Sequence, residues 1–409
     1  MNYKDIEEDF LKDFGFPITS KNELNEETFS QILDYLGITI KYNIITKKIE
    51  ILGMPNKFAK SDLVNVLPIY LKDILKINGI NVTTKVIEEF IVLELSKNNF
   101  NPVRDLLKVN SWDGKDRINE IYSILHLEND LYKILVKKWL CQTVAILFNS
   151  LENPFGAEGV LTLQGKQGIG KSRFFSLISI NPEWFADGIS IDMNNKDSII
   201  KSTSYWIAEL GELDSTVKKE QSILKAFITS PIDDIRPPYG KSSIRRPRVT
   251  SFCATVNPDE FLKDSTGNRR FWVIPVTKID YQKLQSYGKD WILQLWSQIY
   301  EEVKIYWKNN GNFQMFRLSS EEREKLEKYN IRYTEFLPYE EELLQKFNFS
   351  GQKYEWTSQQ LIDKFFEKAT PSMIGKAISK IKSNYPTLVE IKRKNTGNIY
   401  YLPIKNKCN

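Results

Sequence analysis

Hydrophobic and polar positions change rhythm several times along this chain, and each change marks an element. Between Asn25 and Leu36 the apolar positions recur at helical spacing, whereas Thr39 to Leu52 alternates as a strand does. Two amphipathic stretches, around Asp62 to Lys76 and Thr84 to Lys97, predict further helices, with Thr83 or Thr84 as the N-cap of the second. Pro102 and the Trp112-Asp113-Gly114 turn punctuate a linker into a helical region. Tyr132 to Leu151 then reads as one strongly apolar helix, ended by Asn153-Pro154-Phe155-Gly156. Short apolar runs follow at Val160–Leu163, Tyr205–Leu210, Val249–Val256 and Phe271–Val276, with a polar interval from Asp192 to Lys201. Strands interleaved with helical segments predict an α/β fold.

The C-terminal rhythm differs. Thr357 is placed to cap a helix (SQQLIDKFFEKA), Pro371 breaks it, and Ser372 opens a second (MIGKAISKIKS). Two strands are then expected around Asn395-Thr396-Gly397-Asn398. Helix, turn, helix and hairpin is a winged-helix-like layout. The 409 residues have room for several domains. The expected division is 1–100, an accessory or oligomerisation domain that is α/β or mostly helical; 101–310, the core; 311–350, a helical linker or lid; and 351–409, the winged-helix-like domain.

The core carries the densest chemical signal. Gly165-Lys166-Gln167-Gly168-Ile169-Gly170-Lys171-Ser172 completes the pattern G-x-x-x-x-G-K-[ST], after a strand and before a helix that continues through Arg173. Glycines let successive N–H groups curl around a phosphate chain, and the helix adds its positive end. Lys171 would reach the β and γ phosphates of ATP and Ser172 would offer its hydroxyl to Mg²⁺. About 40 residues on, a strand ends in Glu209 and Glu212, a position suited to a metal-holding or water-activating carboxylate. Glu209, at the strand end itself, is the stronger candidate, paired with Ser172 for the metal. Asn257 ends the next strand and suits a γ-phosphate sensor. Arg269 and Arg270 follow a Gly-Asn turn, where a guanidinium could reach a neighbouring subunit's nucleotide.

Charge adds a nucleic-acid expectation. The net charge of +5 permits a polyanionic partner without demanding one, but its placement is uneven. Residues 233–248 (DDIRPPYGKSSIRRPR) read as a proline-stiffened hairpin bearing Arg236, Lys241, Arg245, Arg246 and Arg248, suited to a phosphate backbone. Residues 351–409 hold eleven Lys/Arg against four Asp/Glu. There Lys376, Lys380 and Lys382 lie on the second helix, with Lys392, Arg393 and Lys394 on the wing, a pattern that suits duplex DNA. Three scattered cysteines and the lone His126 disfavour zinc sites and disulfides, and point to a reducing compartment. With no signal peptide and no apolar run near membrane length, no membrane partner is expected.

Six motifs in series, WDGKDRI, GKQGIGKS, WIAELGEL, LKAFITSPIDDIRPPYGK, ATVNPDEFLKD and TGNRRFW, resemble the virulence-associated protein E family over roughly residues 100–280. That family's core is similar to superfamily 3 helicases of viruses, plasmids and phages. The resemblance implies a P-loop, AAA+-like core that assembles as a ring, commonly a hexamer, with ATP between subunits. It places Lys171 and Ser172 on phosphate and Mg²⁺, Glu209 at the acidic strand end, Asn257 as sensor, and Arg269 or Arg270 as the finger acting in trans. Lys241 falls on the hairpin that tracks single-stranded DNA. Many relatives hold two adjacent acids, whereas Leu210-Gly211 separates Glu209 from Glu212 here, so their division of labour stays open. The expected activity is an ATP-dependent DNA helicase for a phage or mobile element in the bacterial cytoplasm, with any primase or polymerase a separate partner. The alternative is a nucleotide-switched ATPase that serves as an origin-binding or loading scaffold without unwinding.

Overall fold

The computed structural model describes residues 24–192, 195–211, 218–235, 242–257, 262, 268–333, 337–348, 352–366, 368–385, 387–394 and 397–404. The first body starts with α1 (Glu26–Tyr35), capped by the Asn25 side chain, and the antiparallel strands β1 (Thr39–Asn43) and β2 (Lys48–Leu52). Next come α2 (Leu63–Ile77) and α3 (Thr84–Lys97), with Thr83 accepting from Val86 N–H as the N-cap of α3. The short β3 (Asn99–Phe100) returns parallel to β1. Strand alternation turns Ile40, Tyr42, Ile49 and Ile51 inward, onto Phe29, Leu67, Leu71, Ile87 and Ile91.

The central body opens with α4 (Pro102–Val109), α5 (Ile118–Ile124) and α6 (Asp130–Ala145). The apolar run to Leu151 does not stay α-helical: after one 3₁₀ turn, Asn149 turns extended. Its amide explains the stop, donating to the carbonyls of Pro231 and Arg248 at 2.7 and 3.0 Å and accepting from Phe155 N–H at 2.9 Å. The chain then alternates: β4 (Val160–Gln164), α7 (Lys171–Ile178), β5 (Phe185–Ile189), α8 (Lys196–Ser202), β6 (Ile207–Leu210), α9 (Lys218–Ile228). A hairpin follows, β7 (Ile232–Ile235) with β8 (Ile244–Pro247), then β9 (Ser251–Val256) and β10 (Phe271–Pro275). Helices α10 (Tyr281–Ser286), α11 (Gly288–Asn310) and α12 (Ser320–Asn330) complete it. Helix α8 lies where composition predicts only a polar interval, and Asn195, one of those polar residues, is its cap.

Five strands form one parallel sheet in the order β10-β4-β9-β6-β5. Helical crossovers cover both faces, so alternate residues of one strand enter two different cores. Leu161, Leu163, Ile207, Cys253, Trp272 and Ile274 face α6, α7 and α11. Val160, Ala208, Phe252, Ala254, Phe271 and Val273 face the other way, with Leu224, Phe227 and Ile228 of α9. This is a three-layer α/β arrangement around a parallel sheet, as the interleaved rhythm predicts.

The last body comprises α13 (Glu340–Gln345), β11 (Tyr354–Thr357), α14 (Ser358–Phe365), α15 (Pro371–Asn384), β12 (Glu390–Lys394) and β13 (Gly397–Leu402). Its antiparallel sheet runs β11-β13-β12. Thr357 and Gln360 form a reciprocal capping box on α14. Pro371 does not merely break a helix: it is the first residue of α15, where a missing N–H costs nothing, and Thr370 is the cap. Strand β11 was not anticipated from the sequence pattern.

Candidate functional site

The loop between β4 and α7 sits at the carboxyl edge of the sheet, the side where parallel α/β sheets place their ligands. Gly170 carries φ +92 at the N-terminus of α7, and a Cβ there would lie 2.4 Å from the Tyr281 ring. A side chain is thus excluded twice, by conformation and by contact. The first turn of α7 has no side-chain cap, so its amides face the loop's cavity. Lys171 is buried, and its Nζ donates to Gly165 O at 2.6 Å, Lys166 O at 2.8 Å and Asn257 Oδ1 at 2.9 Å. Burial lowers its pKa, and the Glu209 carboxylate counters part of that. All three ammonium donors are engaged by neutral oxygens.

Period-two alternation puts Glu209 of β6 and Thr255 of β9 on the same face as α7. Oε1 of Glu209 accepts from Ser172 Oγ at 2.8 Å and Thr255 Oγ1 at 2.6 Å. Its Oε2 is buried without a hydrogen-bond partner. Burial pushes the Glu209 pKa up to about 7, against the pull of the two hydroxyls, and Asp187 on β5 raises it further. A hydroxyl beside a carboxylate oxygen with no donor is a donor set of hard oxygens, which suits a Mg²⁺-sized cation. The neighbouring cavity, about 530 Å³, is lined by Gln167, Gly168, Gly170, Lys171, Ser172, Arg173, Thr255, Asn257 and Tyr281. The residues therefore fit a nucleoside triphosphate with its cation. Among the sequence-predicted residues, Gly165 to Arg173, Glu209 and Asn257 come together here; Glu212 lies outside the described residues.

Thr255 and Tyr281 were missed in the sequence. Thr255 had a signal, since it stands two residues before Asn257 on one strand. Tyr281 had none, because it opens a helix remote from every motif. His126, the lone histidine, lies nearby, with Nε2 3.0 Å from the Asp280 carboxylate.

The remaining predicted cations lie elsewhere. Arg269 and Arg270 occupy a 3₁₀ turn just before β10, at the amino edge of the sheet. Arg269 is exposed, while Arg270 is half-buried and its pKa is lowered by that burial and by Arg269. Asn268 fixes the turn: its carbonyl accepts from Asn330 Nδ2 at 2.9 Å and its side chain accepts from Lys225 at 3.1 Å. The expected hairpin is present as β7–β8, also at the amino edge, with Arg236 and Lys241 outside the described residues. Arg245 is exposed. Arg246 is half-buried, its guanidinium 5.4 Å from the Tyr42 ring.

Arg248 is a correction. It is 3% exposed, donates to Asp233 Oδ1 at 2.9 and 2.6 Å and to Phe227 O, and stacks 4.1 Å from the Phe227 ring. Lys47, from the β1–β2 turn, approaches the other oxygen of Asp233 at 3.3 Å. Arg248 is thus part of the interior and not available to a nucleic acid. Lys380 is corrected for the same reason, since it packs with 9% side-chain exposure against Glu340 at 3.0 Å. Lys376, Lys392, Arg393 and Lys394 are exposed, with Lys392 near Glu390 and Lys394 near Glu355.

The virulence-associated protein E-like domain model matches residues 106–335, from α4 to just past α12 and so across the whole parallel sheet. The chain belongs to this family. No curated protein matches it. Among solved structures, this family member is similar to "The apo structure of NrS-1 C terminal region (305-718)", at 14% identity and TM-score 0.45, covering 94% of this chain and 100% of that one. It is also similar to the A form apo structure of the same region, at 16% identity and TM-score 0.46, with the same coverage. No helix among the described residues is long and apolar enough to cross a membrane.

Proposed function

We propose that this protein is an ATP-driven DNA translocase, a helicase serving replication of a phage or mobile genetic element. The observation that carries the reading is the convergence of Lys171, Ser172, Thr255 and Asn257 on one cavity at the carboxyl edge of a parallel sheet, with Glu209 hydrogen-bonded behind Ser172 and Thr255. Loop amides and the N-terminal end of α7 would hold the phosphates. Lys171 would exchange its carbonyl partners for phosphate oxygens, and its bond to Asn257 would report whether the γ-phosphate is present. Ser172 and Glu209 would hold Mg²⁺, which neutralises charge developing in phosphoryl transfer.

The position of the arginines supports an oligomeric reading. Paired with β4 from Phe271↔Val160 to Pro275↔Gln164, β10 separates Arg270 from its own loop by five residues, about 17 Å at the usual rise per residue. An arginine at that distance serves a nucleotide only from a neighbouring copy, which supports a ring, commonly hexameric, with sites between subunits. The β7–β8 hairpin, with Lys241 and Arg245, would grip single-stranded DNA, and the C-terminal body, winged-helix-like in layout, would hold duplex through Lys376, Lys392, Arg393 and Lys394.

The test is ATP turnover with and without single-stranded DNA, in wild type, Lys171→Ala and Lys241→Ala. DNA should stimulate the wild type. Lys171→Ala should lose turnover on the order of 10²-fold or more, and Lys241→Ala should keep basal turnover but lose stimulation. A wild-type rate indifferent to DNA would replace the motor with a nucleotide-switched loading scaffold.

A further inference from the structure

One carboxylate beside this site belongs to none of the sequence motifs. Strands β5 and β6 pair as Ala186↔Ala208 and Ile189↔Leu210, so Asp187 and Gly188 together oppose the single residue Glu209. Such a bulge re-aims a side chain and is frequent beside functional sites. Two glycines make it possible. Gly188 takes φ +60, and Gly211 packs so closely that a Cβ on it would lie 2.9 Å from the Gly188 carbonyl carbon. Asp187 stays exposed while Ala186 and Ile189 on either side of the bulge are buried. The register thus sets Asp187 beside Glu209, near enough that its charge opposes the ionisation of Glu209.

Two acids in contact are by themselves no site. Here, however, Glu209 is 2% exposed, and its Oε1 already takes both hydroxyls while Oε2 has no hydrogen-bond partner. A buried carboxylate oxygen without a donor, set against a second carboxylate, is unfavourable twice over unless a cation stands between them. Magnesium commonly takes one or two carboxylates, a phosphate and several waters, and two carboxylates with a hydroxyl match that pattern. We propose that Asp187 is the second carboxylate of the divalent-cation site, holding the cation or its water shell opposite Ser172 and Glu209. It takes the place that the separation of Glu209 from Glu212 leaves open. This inference rests on the nucleotide reading above.

The experiment is Mn²⁺ binding followed by electron paramagnetic resonance, with and without a non-hydrolysable ATP analogue, on the full chain as wild type, Asp187→Asn and Asp187→Ala. In the presence of the analogue both variants should bind Mn²⁺ on the order of tenfold or more weakly, while their metal-free affinity for the analogue is unchanged. Metal-free melting temperatures should hold or rise, because a like charge beside Glu209 has been removed. Wild type that binds neither analogue nor Mn²⁺ would overturn the nucleotide reading and this assignment with it. Wild type that binds both, with variants that hold Mn²⁺ as tightly, would overturn the Asp187 assignment alone. A marked fall in metal-free melting temperature would make Asp187 a structural residue and overturn it too.

Discussion

The two edges of the parallel sheet carry the same kinds of residue and use them in opposite ways. At the carboxyl edge, the buried Lys171 is held by neutral oxygens, and Glu209 keeps one oxygen without a partner. At the amino edge, Asp233 is enclosed between Arg248 and Lys47, and both cations are matched to it. Burial opposes the charge on each acid. It wins at Glu209, whose pKa rises, and loses at Asp233, where Arg248 and Lys47 hold the carboxyl below its ordinary value. A buried charge whose partners are complete is structural; one left incomplete is ready for a ligand. Strand β9 joins the two, starting soon after Arg248 and ending one residue before Asn257, which meets Lys171. The hairpin base is thus connected through a single strand to the cavity beside Lys171.

The largest effect expected from this division concerns the arginines of the amino edge. If one of them completes the carboxyl-edge site of a neighbouring copy, its loss should lower turnover by about 10³-fold or more, the usual weight of such a finger. Arg269→Ala and Arg270→Ala identify which one acts. Mixing then tests the geometry: Lys171→Ala chains and the inactive arginine variant should regain activity together, up to about a quarter of interfaces in a head-to-tail ring. Mixtures that stay inactive would mean the two edges never meet between copies.

Breaking the amino edge should instead cost stability. Asp233→Asn leaves Arg248 and Lys47 buried without a counter-charge, a loss of about 3–5 kcal/mol by analogy with broken buried pairs, measurable by urea denaturation. The pH dependence has a definite sign. Because the folded-state pKa of Asp233 is lowered, its contribution is complete above the ordinary value of 3.8 and disappears as pH falls from there through the folded value. Asp233→Asn should therefore flatten the acid limb of stability below about pH 4. An unchanged acid limb would remove Asp233 from the residues that hold this edge together.

How far the sequence anticipates these edges follows from what each is made of. The carboxyl edge is built by local chemistry: Gly165 to Ser172 is contiguous, and Glu209 and Asn257 each close an apolar strand, so spacing alone points to them. Asp187 reaches the same edge through a bulge, and Tyr281 from the helix that follows the edge strand β10, and neither leaves a periodic trace. At the amino edge the sequence pattern misleads for a different reason. Arg248 sits in a run of basic residues and reads as surface, but the next strand begins at Ser251, and the approach to it is already interior. Its partner Asp233 is 15 residues away in sequence, the second cation on Asp233, Lys47, lies 186 residues from that acid, and no local pattern links Lys47 to the hairpin. Helix α8 was hidden because polar residues supply both its cap, Asn195, and its exposed Asp197 and Lys201.

The smallest effect separates cations of the C-terminal body by the same criterion of completeness. Lys380 is matched to the buried Glu340, whereas Lys376, Lys392, Arg393 and Lys394 stand exposed, the wing pairs only loosely with surface acids, and such exposed pairs contribute about 0–1 kcal/mol. Changing Lys392, Arg393 and Lys394 together to Ala should therefore leave the melting temperature nearly unmoved. If each meets a phosphate, the slope of log affinity for duplex DNA against log salt should fall by about 3, roughly 0.9 per contact. Lys380→Met should do the reverse, lowering stability through loss of the buried pair with Glu340 while keeping the salt slope. A triple variant with an unchanged slope would show that the wing does not touch duplex DNA, and the exposed lysine of α15, Lys376, would then be the remaining contact to test.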